Sequence, residues 1–151
     1  MYSGYELLWL FFITSFLGWI LETSTAAIKQ KRFVNRGAVN APFCVLYGFT
    51  SVFLTVFFQE LDGIWLFIAS LIITTLFEWV AGHMIEVIYH ERWWDYSEIK
   101  WNLDGYICLP MSLLWGALSF VMIKWGNRLI FGLFDLMPGI LGKVIVWVLL
   151  S

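Results

Sequence analysis

Long apolar stretches separated by short polar clusters make up most of the chain. A helix needs about 20 mostly apolar residues to cross a bilayer, and four stretches meet or approach that length: 7–28, 41–58, 63–89 and 105–125. Each is separated from the next by charges or by Asn and Gly, which is typical of loops between helices. The pattern predicts an all-α transmembrane helical bundle with at least four spans.

A fifth apolar stretch, residues 129–151, contains Asp135, Pro138 and Lys143. Proline lacks the backbone N–H that continues a helix, and charges are costly in lipid. This stretch is expected to be either a fifth span or a broken, half-inserted helix. We therefore expect the whole chain, 1–151, to form one transmembrane domain of four to five helices.

Composition agrees with lipid as the solvent. Of the 151 residues, 61% are hydrophobic and only 13% are charged. In soluble domains, about a quarter of all residues are charged. The net charge of -2 gives no basic field for a nucleic acid. The expected partner is the lipid bilayer, with no nucleic acid, no cofactor and no metal. The two cysteines are too few for a disulfide scaffold, and we expect both to be reduced.

The distribution of basic residues predicts an orientation. Lys29, Lys31, Arg32 and Arg36 share the first loop without an acidic residue, and loops rich in Lys and Arg stay in the cytoplasm. Loops 29–41 and 90–104 are therefore expected to be cytoplasmic, with the N-terminus outside. Lys124 and Arg128 weaken this asymmetry, because they would lie outside after the fourth helix.

The two halves of the chain resemble each other. Gly18-Trp19-Ile20-Leu21-Glu22 recurs 64 residues later as Gly82-His83-Met84-Ile85-Glu86. Two helix-loop-helix units that enter the membrane from the same side form a parallel repeat, as in some transporters. We expect unit one at about 5–58 and unit two at about 63–125.

Four ionisable residues fall within the predicted spans: Glu22, Glu78, His83 and Glu86. A charge at the centre of a membrane helix costs roughly 2.5 to 3.5 kcal/mol on insertion scales, so these side chains should face the bundle interior. Helical spacing places Glu78, His83 and Glu86 on one broad face. They form either a polar pocket for a cation, a proton or a polar substrate, or purely structural contacts.

The loops add further candidates. Asn35 and Arg36 either cradle an anion or form part of a positively charged turn. Asp95 either caps its own turn or pairs with Arg36. One His-x-x-Glu pair is too little for a di-metal bundle, so no metal site is predicted. No catalytic residue is predicted either. The predicted substrate-binding residues are Glu22, Asn35, Arg36, Glu78, His83, Glu86, Asp95 and Asn102.

An ordered set of motifs between about residues 7 and 117 carries a family resemblance. They are Gly18 to Glu22, Asn35-Arg36-Gly37, Pro42-Phe43-Cys44, Tyr47-Gly48, Trp93-Trp94-Asp95-Tyr96-Ser97, Asn102 to Leu109, and Trp115-Gly116. Together they resemble the bacterial CmpB-like family of ABC-transporter type IV permeases. The resemblance implies a multi-pass protein of the bacterial inner membrane with a role in transport. Ala41-Pro42 and Val45 depart from the family's usual Gly-Pro and Pro.

These observations predict a permease-like transporter subunit with a polar site towards the cytoplasmic side. The chain carries no ATPase motif, so we expect a homo-oligomer or a separate ATPase or partner subunit. One alternative is a membrane scaffold or sensor that binds a partner through its cytoplasmic loops. Another is a membrane-embedded enzyme, although the primary expectation is that the chain is not an enzyme.

Overall fold

The computed structural model describes residues 2–37, 41–137 and 139–150, with the backbone alone for Leu150, and these residues are mostly helical. Three helical stretches are long and apolar enough to cross a membrane: 4–30, 63–89 and 109–136. In chain order the elements are α1 Gly4–Gln30, α2 Val45–Phe58, α3 Gly63–Tyr89, β1 Asn102–Leu103, β2 Ile107–Cys108, α4 Leu109–Val121, a π-helical turn Met122–Gly126, α5 Asn127–Leu136 and α6 Gly139–Leu150.

The two 27-residue helices, α1 and α3, confirm the helices predicted at 7–28 and 63–89. Ser3 and Glu6 form a capping box at the start of α1, which satisfies backbone N–H groups that the helix itself leaves free. Asp62 caps α3, and left-handed residues Lys31 and His90 end the two helices. Each helix is about 40 Å long, more than the hydrocarbon core requires.

The prediction of one helix over 41–58 is wrong at its start. The backbone N–H of Cys44 donates to the carbonyl of Ser15 in α1, with an N to O distance of 2.9 Å. This long-range bond fixes the approach to α2 in a non-helical form, and the helix begins only at Val45. Its 14 residues extend about 21 Å.

The prediction for 105–125 is wrong at both ends. Residues 105–108 belong to a small antiparallel hairpin that pairs Asn102 with Cys108, and α4 begins after it with Pro110 in its first turn. No loop follows Trp125, because the chain continues through the π-helical turn into α5. Of the two alternatives for 129–151, the structure has the broken helix, split between α5 and α6. Pro138 lies outside the described residues.

The chain divides into two compact units, residues 1–52 with 125–151 and residues 53–124. In unit 1 the indole N–H of Trp9 donates to the carbonyl of Ile130 at 3.1 Å, tying α1 to α5. In unit 2 a Cβ at Gly116 would lie 2.9 Å from the Cα of Leu71. This glycine therefore allows the close approach of α4 to α3 that is typical of membrane helices.

Polar residues lie on the inner side of α3 and apolar residues lie on its outer side. Its buried positions are Leu66, Ser70, Thr74, Glu78 and Gly82, which recur every fourth residue along one face. Large apolar side chains on other faces are more than half exposed, among them Ile72, Met84 and Val87. This inverted pattern is typical of a helix that is surrounded by lipid.

Candidate functional site

The most deeply buried acidic residue that the structure describes is Glu78, on the inner face of α3. Glu78 is only 7% exposed to solvent. The indole N–H of Trp115 donates to its Oε1 at 3.0 Å, and the hydroxyl of Tyr96 donates to the same atom at 3.2 Å. Glu78 therefore points into unit 2 and is held by donors from α4 and from the loop after α3.

A second carboxylate, Glu86, lies one helical turn before the end of α3. Its Oε2 accepts a 2.9 Å hydrogen bond from the Nε of Arg92 and a hydrogen bond from the hydroxyl of Tyr106. The Cζ of Arg92 lies 4.4 Å from the centroid of the Tyr106 ring, a distance typical of a cation–π contact. The hydrogen bond to Glu86 raises the pKa of the Tyr106 hydroxyl, because it stabilises the protonated phenol.

His83 belongs to the same cluster. Its ring centroid lies 3.9 Å from that of Tyr106, and its Nδ1 lies 2.9 Å from the carbonyl oxygen of Trp79. A Cβ at Gly82 would clash with the ring of Tyr106, so the ring can lie against α3 only because residue 82 is glycine. Since Tyr106 touches both His83 and Glu86, these two side chains share a face of α3, as the spacing predicts.

Asp95 and Asn102 hold the loop between α3 and α4. An Oδ1 atom of Asp95 accepts from the backbone N–H and the hydroxyl of Ser97, which confirms that Asp95 caps its own turn. These donors lower the pKa of Asp95. The Nδ2 of Asn102 donates to the carbonyl of Ile99 at 2.7 Å. A side chain at Gly105, where φ is +73°, would collide with Asp95 and Ser97.

Unit 1 contains a smaller arrangement around Glu22. The hydroxyl of Tyr47 donates to its Oε1 at 2.8 Å, and a Cβ at Gly18 would clash with the ring of Tyr47. Cys44 lies nearby. Burial, and to a lesser extent the charge of Glu22, raises the pKa of its thiol to about 12.

Asn35 and Arg36 lie beside the same stretch of α1. The Oδ1 of Asn35 accepts from the indole N–H of Trp19 at 2.6 Å, and the backbone N–H of Arg36 donates to the hydroxyl of Thr23. Trp19 and Thr23 flank Glu22 along the helix. Unit 1 therefore brings Glu22, Asn35 and Arg36 together, while unit 2 brings together Glu78, His83, Glu86, Asp95 and Asn102.

Sequence reasoning did not assign roles to the donors that complete these contacts. They are Tyr47, Arg92, Tyr96, Tyr106 and Trp115. A signal was available for two of them: Tyr47 and Tyr106 each lie within three residues of one of the two cysteines. In each half of the chain, a tyrosine that follows the Gly-x-x-x-Glu sequence donates to its glutamate.

The chemistry open to these clusters is binding by charge and hydrogen bonding. Carboxylates held by hydroxyl and indole donors attract cations, and aromatic rings beside them add cation–π attraction. Within the described ranges, no three His, Cys, Asp or Glu side chains are grouped to hold a metal ion.

The comparisons with known proteins give a family and no individual relative. No curated protein and no solved structure matches the chain. A family model described as Putative ABC-transporter type IV matches residues 9–151, which extends the likeness beyond the motifs of 7–117. Because the match covers nearly the whole chain, the protein belongs to the Putative ABC-transporter type IV family.

Proposed function

We propose that the protein is a permease-like subunit of a membrane transporter, with a polar site towards the cytoplasmic side. The observation that carries the proposal is the inner face of α3, where Glu78 is buried among polar residues while the outer faces are apolar. Ionisable side chains are expensive inside a membrane and mark solute or ion pathways. Membership of a family described as ABC-transporter type IV supports the same function.

The proposed location is the inner membrane of a bacterial cell, which the protein crosses several times. Loops 29–41 and 90–104 are cytoplasmic and the N-terminus is outside, as the basic first loop favours. Lys124, whose positive charge opposes this orientation, forms an ion pair with Asp62 at the start of α3. That pairing supports the proposed orientation, because Asp62 neutralises the positive charge of Lys124 at the start of α3, the opposite end from Arg92.

The proposed transporter requires more than one copy or more than one kind of subunit. Three long helices are few to enclose a solute pathway, so a homo-oligomer or a partner such as a separate ATPase completes it. The two helix-loop-helix repeats, at about 5–58 and 63–125, also descend from a parallel duplication. Its support is the arrangement shared by Gly18, Glu22 and Tyr47 and by Gly82, Glu86 and Tyr106.

A flux experiment tests the transport proposal. Proteoliposomes containing the purified protein, with any subunits that co-purify, are exposed to a bacterial small-molecule extract, and the accumulated species are identified by mass spectrometry. We expect at least one polar species to enter wild-type vesicles and to enter poorly with Glu22→Gln or Glu86→Gln. Glu60→Gln, in an exposed acidic residue, is the matched control. Equal flux in all four proteins would contradict the proposal.

A scaffold or sensor function is the second candidate, and one observation favours it. Trp101 is 79% exposed in the loop that Asp95 and Asn102 stabilise, with a left-handed backbone at φ +62°. An ordered loop that presents a large aromatic side chain is suited to contact a partner. Under this function, substitutions at Asn35, Arg36 or Asp95 abolish co-purification of the partner and leave flux unchanged.

A further inference from the structure

Residues 92–106, which lie between α3 and α4, fold back along α3 and contact one face of it. Side chains of this segment contact Glu86, Gly82 and Glu78, three positions spaced four residues apart on the same face. At 1.5 Å per residue, these positions cover about 12 Å of the helix. The segment therefore follows α3 from the carboxylate near its end to the buried carboxylate of Glu78.

The exposure to water decreases along these three contacts. At the outer contact, the side chains of Arg92 and Glu86 are 35% and 38% exposed. At the middle contact, a Cβ on Gly82 would lie 2.6 Å from Cδ1 of Tyr106, so the aromatic ring fills the space over the helix. At the inner contact, Glu78 is buried. The ring of Tyr106 therefore lies between a carboxylate that water reaches and one that it does not.

Segment 92–106 keeps its shape through bonds of its own. The backbone N–H of Tyr96 donates to the carbonyl of Gly105 at 2.8 Å, and the indole N–H of Trp94 donates to the carbonyl of Tyr106 at 2.8 Å. The three contacts with α3 given above are made by side chains. Breaking these contacts does not require the unfolding of α3 or of the segment, which can therefore move as one body.

We infer that segment 92–106 is a gate between water and Glu78, and that Arg92 holds it closed. The Nε of Arg92 donates to Glu86 of α3 at 2.9 Å, and its Nη1 donates to the carbonyl of Asp104 at 3.0 Å. One side chain thus ties both ends of the segment to the helix. An ion pair that water reaches contributes little to stability, which allows the gate to open.

This inference rests on the proposed transport function and adds the control of access to its site. In transporters, a binding site near the middle of the membrane becomes accessible through the movement of gating elements. The structure has the closed form, in which the donors from Tyr96 and Trp115 surround Glu78.

Carboxyl labelling of the purified full chain in detergent micelles tests the gate. A water-soluble carbodiimide with glycine methyl ester converts accessible carboxyl groups to amides, and peptide mass spectrometry gives the rate at each glutamate. In the wild type, Glu78 should react about tenfold more slowly than the exposed Glu60. In Arg92→Ala, the rate at Glu78 should rise about two- to fivefold, while Glu60 keeps its rate. Arg128→Ala, which removes another exposed arginine, should match the wild type.

A second measurement distinguishes gate opening from unfolding. Hydrogen exchange of the amides 66–80 in α3 should be the same in Arg92→Ala as in the wild type, because the gate opens while α3 stays helical. If Arg92→Ala does not fold, Tyr106→Phe decides the question. This variant removes only the hydroxyl that contacts Glu86 and Arg92, and the rate at Glu78 should rise in it as well.

Three results would overturn the inference. The first is a wild-type Glu78 that reacts as fast as Glu60. The second is an unchanged rate at Glu78 in the folded Arg92→Ala and Tyr106→Phe variants. The third is a rise at Glu78 that is accompanied by equally faster exchange throughout amides 66–80, because Glu78 is then exposed by unfolding.

The gate and the transport proposal fail in different ways. Flux that depends on Glu86, with the same Glu78 labelling in wild type and variants, would overturn the gate and leave transport in place. Faster labelling of Glu78 in Arg92→Ala with an intact α3, but without flux of any solute, would support the gate while contradicting transport.

Discussion

Changing Tyr96 to Phe removes one hydroxyl group and leaves the aromatic ring in place. The substitution therefore tests whether Glu78 is held as a buried carboxylate by hydrogen bonds inside unit 2. We expect Tyr96→Phe to lower the free energy of unfolding, because it deletes one of the two donors to the same oxygen of Glu78.

The size of the effect follows from the environment of the bond. Hydrogen bonds to charged groups contribute about 1.5 to 3 kcal/mol, whereas side-chain hydrogen bonds between membrane helices average about 0.6 kcal/mol and reach about 1.7. Glu78 is only 7% exposed, which favours a large value, but Trp115 continues to donate. The expected loss is about 1.4 kcal/mol, or roughly tenfold in the unfolding equilibrium.

Unfolding by sodium dodecyl sulfate in mixed micelles measures this loss. Tyr89→Phe is the matched control, because Tyr89 is 53% exposed, and it should change stability by less than about 0.5 kcal/mol. A double-mutant cycle with Glu78→Gln then isolates the contact. If the effects of Tyr96→Phe and Glu78→Gln add within about 0.3 kcal/mol, the two side chains are not coupled and the reasoning is refuted.

Three further predictions concern packing, thiol chemistry and pH. Gly82→Ala should destabilise the protein by about 1 to 3 kcal/mol, because the added methyl group overpacks the contact with Tyr106. At Gly132 a Cβ meets nothing within 4 Å, so Gly132→Ala should stabilise the protein by about 0.5 to 1 kcal/mol. Thermal denaturation in detergent distinguishes the two variants. With a thiol pKa of about 12, Cys44 should react with iodoacetamide at pH 8 roughly 10³-fold more slowly than free cysteine, as peptide mass spectrometry can measure. Hydrogen bonds from Ser97 lower the pKa of Asp95, so the stabilisation of the loop by the Asp95 carboxylate should be complete above about pH 3.9 and be lost as the pH falls through the lowered pKa. Hydrogen exchange of amides 95–105, corrected for intrinsic rates, should therefore show loosening only in strong acid. In Asp95→Ala the corrected exchange should not depend on pH.

Helix boundaries could be predicted where local sequence determines them. Asp62 and Gly63 mark the start of α3 through capping, and a mostly apolar run without Pro carries the helix to Tyr89, so prediction and structure agree. The start of α2 depends instead on a bond between Cys44 and Ser15, residues far apart in sequence. Apolar composition alone does not reveal such a bond, and the apolar pattern therefore predicts a helix start that is too early.

The candidate site shows the same division between local and long-range information. The cost of a charge in lipid is enough to predict that Glu78 points inwards. Its donor Trp115 lies 37 positions away, and no periodicity in the sequence connects the two. The stacking of Tyr106 on Gly82 also depends on the hairpin that returns the chain to α3, a feature that the prediction of a helix from residue 105 excluded.

The short length of α2 has a consequence for the choice of membrane. Its 14 residues extend about 21 Å, some 9 Å less than a typical hydrocarbon core of about 30 Å. Where α2 crosses the bilayer, as the sequence predicts, a hydrophobic mismatch of this size is relieved by thinning of the surrounding bilayer or by association between copies. In vesicles made from lipids of increasing acyl length, the protein should therefore become progressively less stable, and thin bilayers should suit it best.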